Sequence, residues 1–300
     1  MHFEKRKRKV FRKVVMINNE VSRIKTGGIL NTEEIMQLSL KLAGLRDIPE
    51  DSAIYVRGEN IQKVLFCIDA GTSELLLAKH LGFDAVIAHH PIGGTAVLNF
   101  PQVFKRHIQQ MVEAGVPREE AEKAVKRKLE QLEVEAHTRN YMQTIEAAKL
   151  LKMPYMNIHT PLDEIGRQRM IKQLNNKLGK NAKVKGVVSA LMELPEFKNA
   201  LTKIKICLGK PENRAGRIVV SHAAGTNGGY EIAKTYFQYG VNTLIYIHIS
   251  PGDLEKLKAD GKGNLVVTGH IASDSLGINP FIKELEKRGI SVAKIGVVEG

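Results

Sequence analysis

Short apolar segments alternate with helical segments along this chain. Residues 63–68 (KVLFCI) predict a buried strand, residues 72–82 predict a helix, and residues 84–88 (DAVIA) predict the next strand. A strand, a helix and a second strand in this order form a βαβ unit, in which the strands are parallel and the crossover is right-handed. A second series of this kind begins at residues 217–221 (RIVVS). The sequence therefore predicts an α/β fold.

The order of these elements predicts two interlocked α/β lobes. We expect residues 1–165 together with 264–300 to form the first lobe, and residues 166–263 to form the second lobe across a cleft. Residues 102–151 are charged and carry an apolar stripe, which is typical of an antiparallel pair of helices. We expect this pair to be a helical insertion between two strands of the first lobe.

The composition argues against membrane-spanning and secreted proteins. No apolar segment reaches the roughly 18 residues of a membrane span, and residues 1–20 are charged where a secretory signal would be apolar. The two cysteines, Cys67 and Cys207, lie far apart, which suits a reducing cytoplasm. We expect a cytoplasmic protein in which histidines and carboxylates hold any metal.

The formal net charge of +13 has two interpretations. A lysine-rich solvated surface is favoured, because the positive charge is spread along the chain and only 5% of the residues are aromatic. The alternative is binding of nucleic acid or of an anionic substrate. The densest basic segment, Lys5–Lys9, is predicted to be a frayed or helical arm, with polyanion binding as the alternative. Residues 1–12 are predicted to be dispensable for the metal site and the oligomer.

Histidines recur at one place in the predicted elements. Five of them stand at or just beyond the carboxyl end of a predicted strand: His89, His159, His222, His248 and His270. That edge of an α/β sheet is where ligands bind. A single histidine there is usually structural, but several histidines with carboxylates beside them indicate a functional site.

Adjacent histidines and one helical pair suggest metal ligands. His89 and His90 follow a strand directly, and adjacent residues on an extended backbone point to opposite sides, so the two can reach two neighbouring ions. His270 and Asp274 are spaced i and i+4, which puts them on one face of a helix, as in zinc enzymes. The alternatives are one buried and one exposed histidine in the first case, and a histidine capped by Asp274 in the second.

Three motifs in this order resemble the Nif-three-like family. They are AHHP at 88–91, HTPLD at 159–163 and GHIASD at 269–274, and they follow a segment near Asp69. The family consists of hexamers with a dinuclear metal centre, many of which are named GTP cyclohydrolase 1 type 2 homologues. The resemblance implies a homohexamer with a dinuclear centre, that is, two divalent cations per chain. Mixed histidine and carboxylate ligands suit zinc, iron, manganese or cobalt.

The family's metal ligands can be carried over to this chain residue by residue. The resemblance implies that His89, His90, Asp163, His270 and Asp274 are the metal ligands, and that Asp163 bridges the two ions. The family usually has glutamate where this chain has Asp274, whose side chain is one methylene shorter. The insertion at 102–151 is also longer than in the minimal family pattern.

These features predict a metal-dependent hydrolase acting on a nucleotide or a similar anionic small molecule. Two cations can lower the pKa of a shared water from near 16 to about 7, and His159 or His222 can move a proton. The glycine-rich turn at 225–229 can present backbone amides to a phosphate. The alternatives are a metal-delivery or regulatory protein without catalysis, and a DNA-associated scaffold. A nucleic-acid partner is the less favoured alternative.

Overall fold

The strands form two separate sheets. In the computed structural model, which describes residues 28–300, five strands make the first sheet, in the order β1 (Ala53–Val56), β4 (Tyr155–Asn157), β3 (Ala85–Ala88), β2 (Lys63–Cys67) and β9 (Ser291–Ile295). β2 pairs in parallel with β3 and with β9, and β3 pairs in parallel with β4. β1 is an antiparallel edge strand. The parallel βαβ unit predicted from residues 63–88 is therefore confirmed.

The second sheet has four strands, in the order β5 (Lys205–Leu208), β8 (Asn264–Val267), β7 (Thr243–Tyr246) and β6 (Ile218–Val220). β6, β7 and β8 are parallel, and β5 is antiparallel at the edge. The predicted α/β fold is confirmed. The lobe boundaries at 165/166 and 263/264 stay a prediction, and residues 264–267 form a strand of the second sheet.

Helices cover both faces of the first sheet, because successive residues of β2 point to opposite faces. Val64 and Phe66 pack under α1 (Thr32–Ala43), α8 (Thr160–Lys177) and α13 (His270–Lys287). Leu65 and Cys67 pack under α2 (Thr72–His80) and α7 (Gln143–Leu150). A strand that is buried on both faces explains the uninterrupted apolar segment in the sequence.

The predicted insertion is helical, but it is not a simple pair of helices. Between β3 and β4 the chain forms α3 (Gly94–Leu98), α4 (Phe100–Phe104), α5 (Arg106–Glu113), α6 (Arg118–Ala136) and α7. Gly115 has a positive φ of 78°, and Pro117 precedes α6, so the chain cannot continue as one helix there. α6 contributes Ala121 and Leu132 to the hydrophobic core that also contains Leu244 and Leu265 of the second sheet. A segment inserted in the first lobe thus shares the core of the second.

Residues 164–210 contain more regular structure than the sequence suggested. α8 begins at Thr160, and further on the chain forms α9 (Val184–Leu191) and α10 (Pro195–Asn199). The first two turns of α8 are buried all round, so they show no amphipathic period that could have predicted them. The second lobe also contains α11 (Gly229–Gln238) and α12 (Pro251–Asp260).

Two further predictions concern a membrane span and the basic terminal arm. Across residues 28–300, no helix is both long and apolar enough to cross a bilayer. The basic segment Lys5–Lys9 lies outside the described residues, so its predicted dispensability stays a prediction.

Candidate metal centre

The two adjacent histidines are held by the ends of the first sheet. The backbone N–H of His89 donates to the carbonyl of Cys67 at 2.8 Å, and its buried ring donates from Nδ1 to the carbonyl of Ile158 at 3.0 Å. That bond leaves the lone pair of Nε2 free. The Nδ1 of His90 lies 2.8 Å from Oδ1 of Asp69, so Nε2 is its free atom as well. Both free Nε2 atoms face carboxylates.

Two helices carry those carboxylates. Asp163 lies in the first turn of α8, and Asp274 lies in the second turn of α13. The helices touch at glycines: a Cβ on Gly166 would lie 3.1 Å from the carbonyl oxygen of Ser273, and one on Gly277 would overlap the carbonyl oxygen of Leu162. This close approach brings the two carboxylates to the same point at the sheet edge.

Asp163 faces three histidines. Its Oδ1 lies 3.2 Å from Nε2 of His89 and 3.6 Å from Nε2 of His222. Its Oδ2 lies 3.7 Å from Nε2 of His159. Asp163 lies in a helix that begins at Thr160. It is almost fully buried.

Asp274 also faces three histidines, and it does so with a single oxygen. Its Oδ2 lies 3.3 Å from Nε2 of His270, 3.4 Å from Nε2 of His90 and 3.8 Å from Nε2 of His89. α13 begins at His270, so the predicted i, i+4 arrangement of His270 and Asp274 on one helix face is observed. Asp274 is buried, whereas the His270 side chain is 41% exposed.

Five buried polar atoms at this point lack a hydrogen-bond partner: His89 Nε2, His90 Nε2, His222 Nε2, Asp163 Oδ1 and Asp274 Oδ2. Buried polar atoms without partners are rare, because each costs about 1–3 kcal/mol. Imidazole nitrogens and carboxylate oxygens are ligands for zinc and other first-row metals. The donor set therefore fits divalent cations.

The donors form three overlapping groups, in each of which the ligand atoms lie within 4.8 Å of one another. The groups are His90 with His270 and Asp274, His89 with Asp163 and Asp274, and His89 with His90 and His159. Asp274 is the carboxylate that belongs to two of them. These groups can hold metal, and they bring the five predicted ligands together.

The charges in the cluster keep both carboxylates ionised. Burial raises the pKa of Asp163, but the charges of His222 and His159 outweigh burial and hold that pKa well below its usual range. Burial also raises the pKa of Asp274, but the neighbouring imidazoles of His90, His89 and His270 outweigh burial and bring that pKa below the ordinary value. Ionised carboxylates are the form that binds cations.

His159 has a buried carboxylate partner that sequence reasoning missed. Its Nδ1 lies 2.7 Å from Oδ2 of Asp51, which also accepts a 2.7 Å hydrogen bond from the hydroxyl of Thr160. Burial lowers the pKa of His159, but the charges of Asp163 and Asp51 raise it to about 9. Asp51 is 108 positions away in sequence, and the pairing of Ala53 with Asn157 places it here, so no local motif could reveal it.

The second sheet contributes two more of the predicted strand-end histidines. His222 follows β6 and approaches Asp163, and α5 holds its loop: Gln110 donates from Nε2 to the carbonyl of His222, and Arg106 donates from Nε to the carbonyl of Ala223. His248 follows β7, with its ring centroid 4.8 Å from that of His270. The roles predicted for His159 and His222 in proton transfer stay predictions.

Comparison with solved structures identifies the family. No family model and no curated protein matches the chain. A NIF3 superfamily protein from Sphaerobacter thermophilus is 46% identical, with a TM-score of 0.89 over 91% of this chain and 100% of that chain. The chain belongs to the NIF3 superfamily.

More distant structures share the fold alone. Reduced HcgD from Methanocaldococcus jannaschii is 12% identical, with a TM-score of 0.54 over 89% of this chain and 98% of that one. Staphylococcus aureus protein SA1388 is also 12% identical, with a TM-score of 0.52 over 89% of this chain and 96% of that one. The family resemblance found in the sequence is confirmed at the level of the NIF3 superfamily.

In this NIF3 superfamily chain, the donor cluster opens into a cavity of about 660 Å³. His90, His159, His270 and both carboxylates of the cluster line one part of it, and the insertion lines another. A volume of this size suits a small organic molecule. Gly225 and Thr226 of the glycine-rich turn also line the cavity, whereas the amide of Gly229 already donates to Oδ1 of Asn227.

Proposed function

We propose that this NIF3 superfamily chain binds two divalent cations and is a metal-dependent hydrolase of nucleotides or similar anionic small molecules. The observation that carries the proposal is the convergence of five buried polar atoms without partners beside the cavity. A solvated or purely structural cluster would satisfy such atoms with hydrogen bonds.

We assign one cation to His90, His270 and Asp274, and the other to His89, Asp163 and Asp274. In this assignment Asp274 is shared, whereas the family resemblance gives the bridging role to Asp163. A pair of divalent cations, when bound, lowers the pKa of water from near 16 to about 7 and polarises an anionic substrate.

Histidine side chains beside the cluster can bind and transfer a proton during hydrolysis. Asp51 accepts from Nδ1 of His159 and orients the ring, so that Nε2 of His159 faces the cluster and can hold or release a proton. His222 lies on the other side of Asp163, and among residues 28–300 no second carboxylate pairs with its ring. We therefore favour His159 for proton transfer and His222 as an additional ligand.

A metal-delivery function is the second candidate. It is favoured by His270, whose side chain is 41% exposed although its partner Asp274 is 1% exposed. A ligand that solvent can reach makes exchange of one cation easier. Rapid exchange of one cation per chain without any turnover would support delivery over catalysis.

The test combines metal analysis with a hydrolysis screen. We expect two cations per chain by elemental analysis, and turnover of GTP or another nucleotide with one of zinc, iron, manganese or cobalt restored after chelation. We expect the chelated protein to be inactive. Absence of turnover with every metal across a broad nucleotide panel would contradict the enzymatic part of the proposal.

The assembly and location are also part of the proposal. The family resemblance supports a homohexamer, and the two isolated cysteines support a cytoplasmic location. Analytical ultracentrifugation of the purified chain would check the homohexamer, and a monomer at micromolar concentration would contradict it.

A further inference from the structure

His248 lines the cavity beside the donor cluster, and its hydrogen bonds fix which ring nitrogen carries the proton. The amide N–H of Gly229 donates to Oδ1 of Asn227 at 3.0 Å. The other end of that side chain, Nδ2, therefore faces Nδ1 of His248 at 2.8 Å. An amide nitrogen can only donate, so Nδ1 of His248 must accept. The proton of the neutral ring then sits on Nε2.

This tautomer separates His248 from the metal-binding histidines. His89 donates from Nδ1 and keeps a free lone pair on Nε2, as a ligand requires. His248 has the reverse arrangement, with its lone pair used by Asn227 and an N–H on Nε2 that has no partner among residues 28–300. His248 is therefore a hydrogen-bond donor at the cavity, not a metal ligand.

The insertion adds positive charge to the same cavity. Lys128 on α6 and Arg139 just beyond it line the wall, and neither forms an ion pair within the described part of the chain. Glu135 is the carboxylate on this wall. Phe100 and Leu132 add apolar surface beside them. The cavity thus combines two positively charged side chains without ion pairs, a neutral hydrogen-bond donor and an apolar patch.

We propose that this cavity binds a phosphate-bearing small molecule of nucleotide size. One oxygen of that molecule accepts the Nε2–H of His248 beside the donor cluster, its phosphate lies against Lys128 and Arg139, and its ring packs on Phe100. The inference rests on the function proposed for the same site. It assigns substrate selection to the insertion and to His248.

Calorimetric titration with GMP, and with guanosine as its uncharged counterpart, tests the positive wall. We use the protein as purified, with its metal content measured. We expect GMP to bind at least about tenfold more tightly than guanosine. Lys128→Met or Arg139→Gln should weaken the affinity for GMP about tenfold and leave the affinity for guanosine unchanged. Glu135→Gln, the matched change on the same wall, is expected to keep or improve GMP binding.

A second pair of variants tests the tautomer. His248→Ala is expected to keep its full metal content and to bind GMP about tenfold more weakly, because the change removes a hydrogen-bond donor but no metal ligand. Asn227→Asp keeps an acceptor for Gly229 but presents a carboxylate to Nδ1 of His248, which moves the ring proton from Nε2. Asn227→Asp is expected to weaken the affinity for GMP as much as His248→Ala does.

The outcomes separate this inference from the proposed function. Loss of metal in His248→Ala would make His248 a ligand and overturn the inference, and so would wild-type affinity for GMP in the Lys128 and Arg139 variants. Failure of the wild type to bind GMP would also overturn it. A wild type that binds GMP as expected but hydrolyses no nucleotide would contradict the proposed function and leave the inference standing.

Discussion

Replacing each carboxylate by its amide would show which one is shared by the two proposed cations. Oδ2 of Asp274 lies within 3.8 Å of three imidazole nitrogens, and Asp274 belongs to two donor groups, whereas Asp163 belongs to one. We therefore expect Asp274→Asn to lose both cations and Asp163→Asn to lose one. Both amides keep the shape of the side chain, remove its charge and replace one acceptor oxygen by an NH₂ donor.

The size of the effect follows from the number of cations lost. A cation at 100 times its dissociation constant stabilises the folded chain by about 2.7 kcal/mol. Two cations then contribute about 5 kcal/mol, and a chain of this length shifts its melting temperature by about 2 °C per kcal/mol. We expect added metal to raise the melting temperature of the wild type by about 10 °C. The shift should be about half as large in Asp163→Asn and absent in Asp274→Asn.

The assay pairs differential scanning calorimetry with elemental analysis of the same samples, with and without chelator. Asp47→Asn is the control, because Asp47 is exposed and outside the cluster. Its metal content and melting shift should equal those of the wild type. Two cations retained by a folded Asp274→Asn protein would refute the assignment of Asp274 as the shared ligand.

Three further changes probe the groups around the cluster. Asp51→Asn should lower the pKa of His159 in the metal-free protein, since the Asp51 charge raises it, and NMR titration of the ring checks this. Gly277→Ala should destabilise the fold by about 1–3 kcal/mol and reduce metal content, because its methyl group would overlap Leu162; denaturant unfolding measures the first effect. Burial lowers the pKa of His107 to about 4, so the stability this neutral ring contributes is present above pH 6.5 and is lost as the pH falls towards 4. At about 1.4 kcal/mol per pH unit the loss is about 3 kcal/mol, and urea unfolding of metal-free His107→Gln should lack it.

Local patterns predicted β2 and β3, because each is a short apolar segment buried on both faces. β2 and β3 were found within one residue of their ends. The antiparallel edge strand Ala53–Val56 was missed, since all its residues are half-buried and show no such pattern. Helix α1 begins with a capping box, in which the side chains of Asn31 and Glu34 each accept from the other's backbone N–H.

The site was predictable only as far as its motifs are local. His89 and His90 follow a strand, and His270 and Asp274 share a helix turn, so both pairs are visible in the sequence. Asp51 is brought to His159 by strand pairing between distant segments. The tautomer of His248 depends on an amide bonded in another loop. The Asp51–His159 pair and the His248 tautomer both depend on tertiary contacts, which leave no local pattern in the sequence.

The cluster is assembled from both sheets, which ties metal binding to the docking of the two lobes. His89 comes from the first sheet and His222 from the second, and α5 of the insertion holds the loop of His222 through Gln110. Neither lobe alone presents the full set of donors to Asp163. A cation at this site therefore binds the docked chain far more strongly than the separated lobes, and by mass action it stabilises their contact. In Gln110→Leu we expect the fold to survive. The metal-dependent stabilisation should fall, because His222 is no longer held against Asp163.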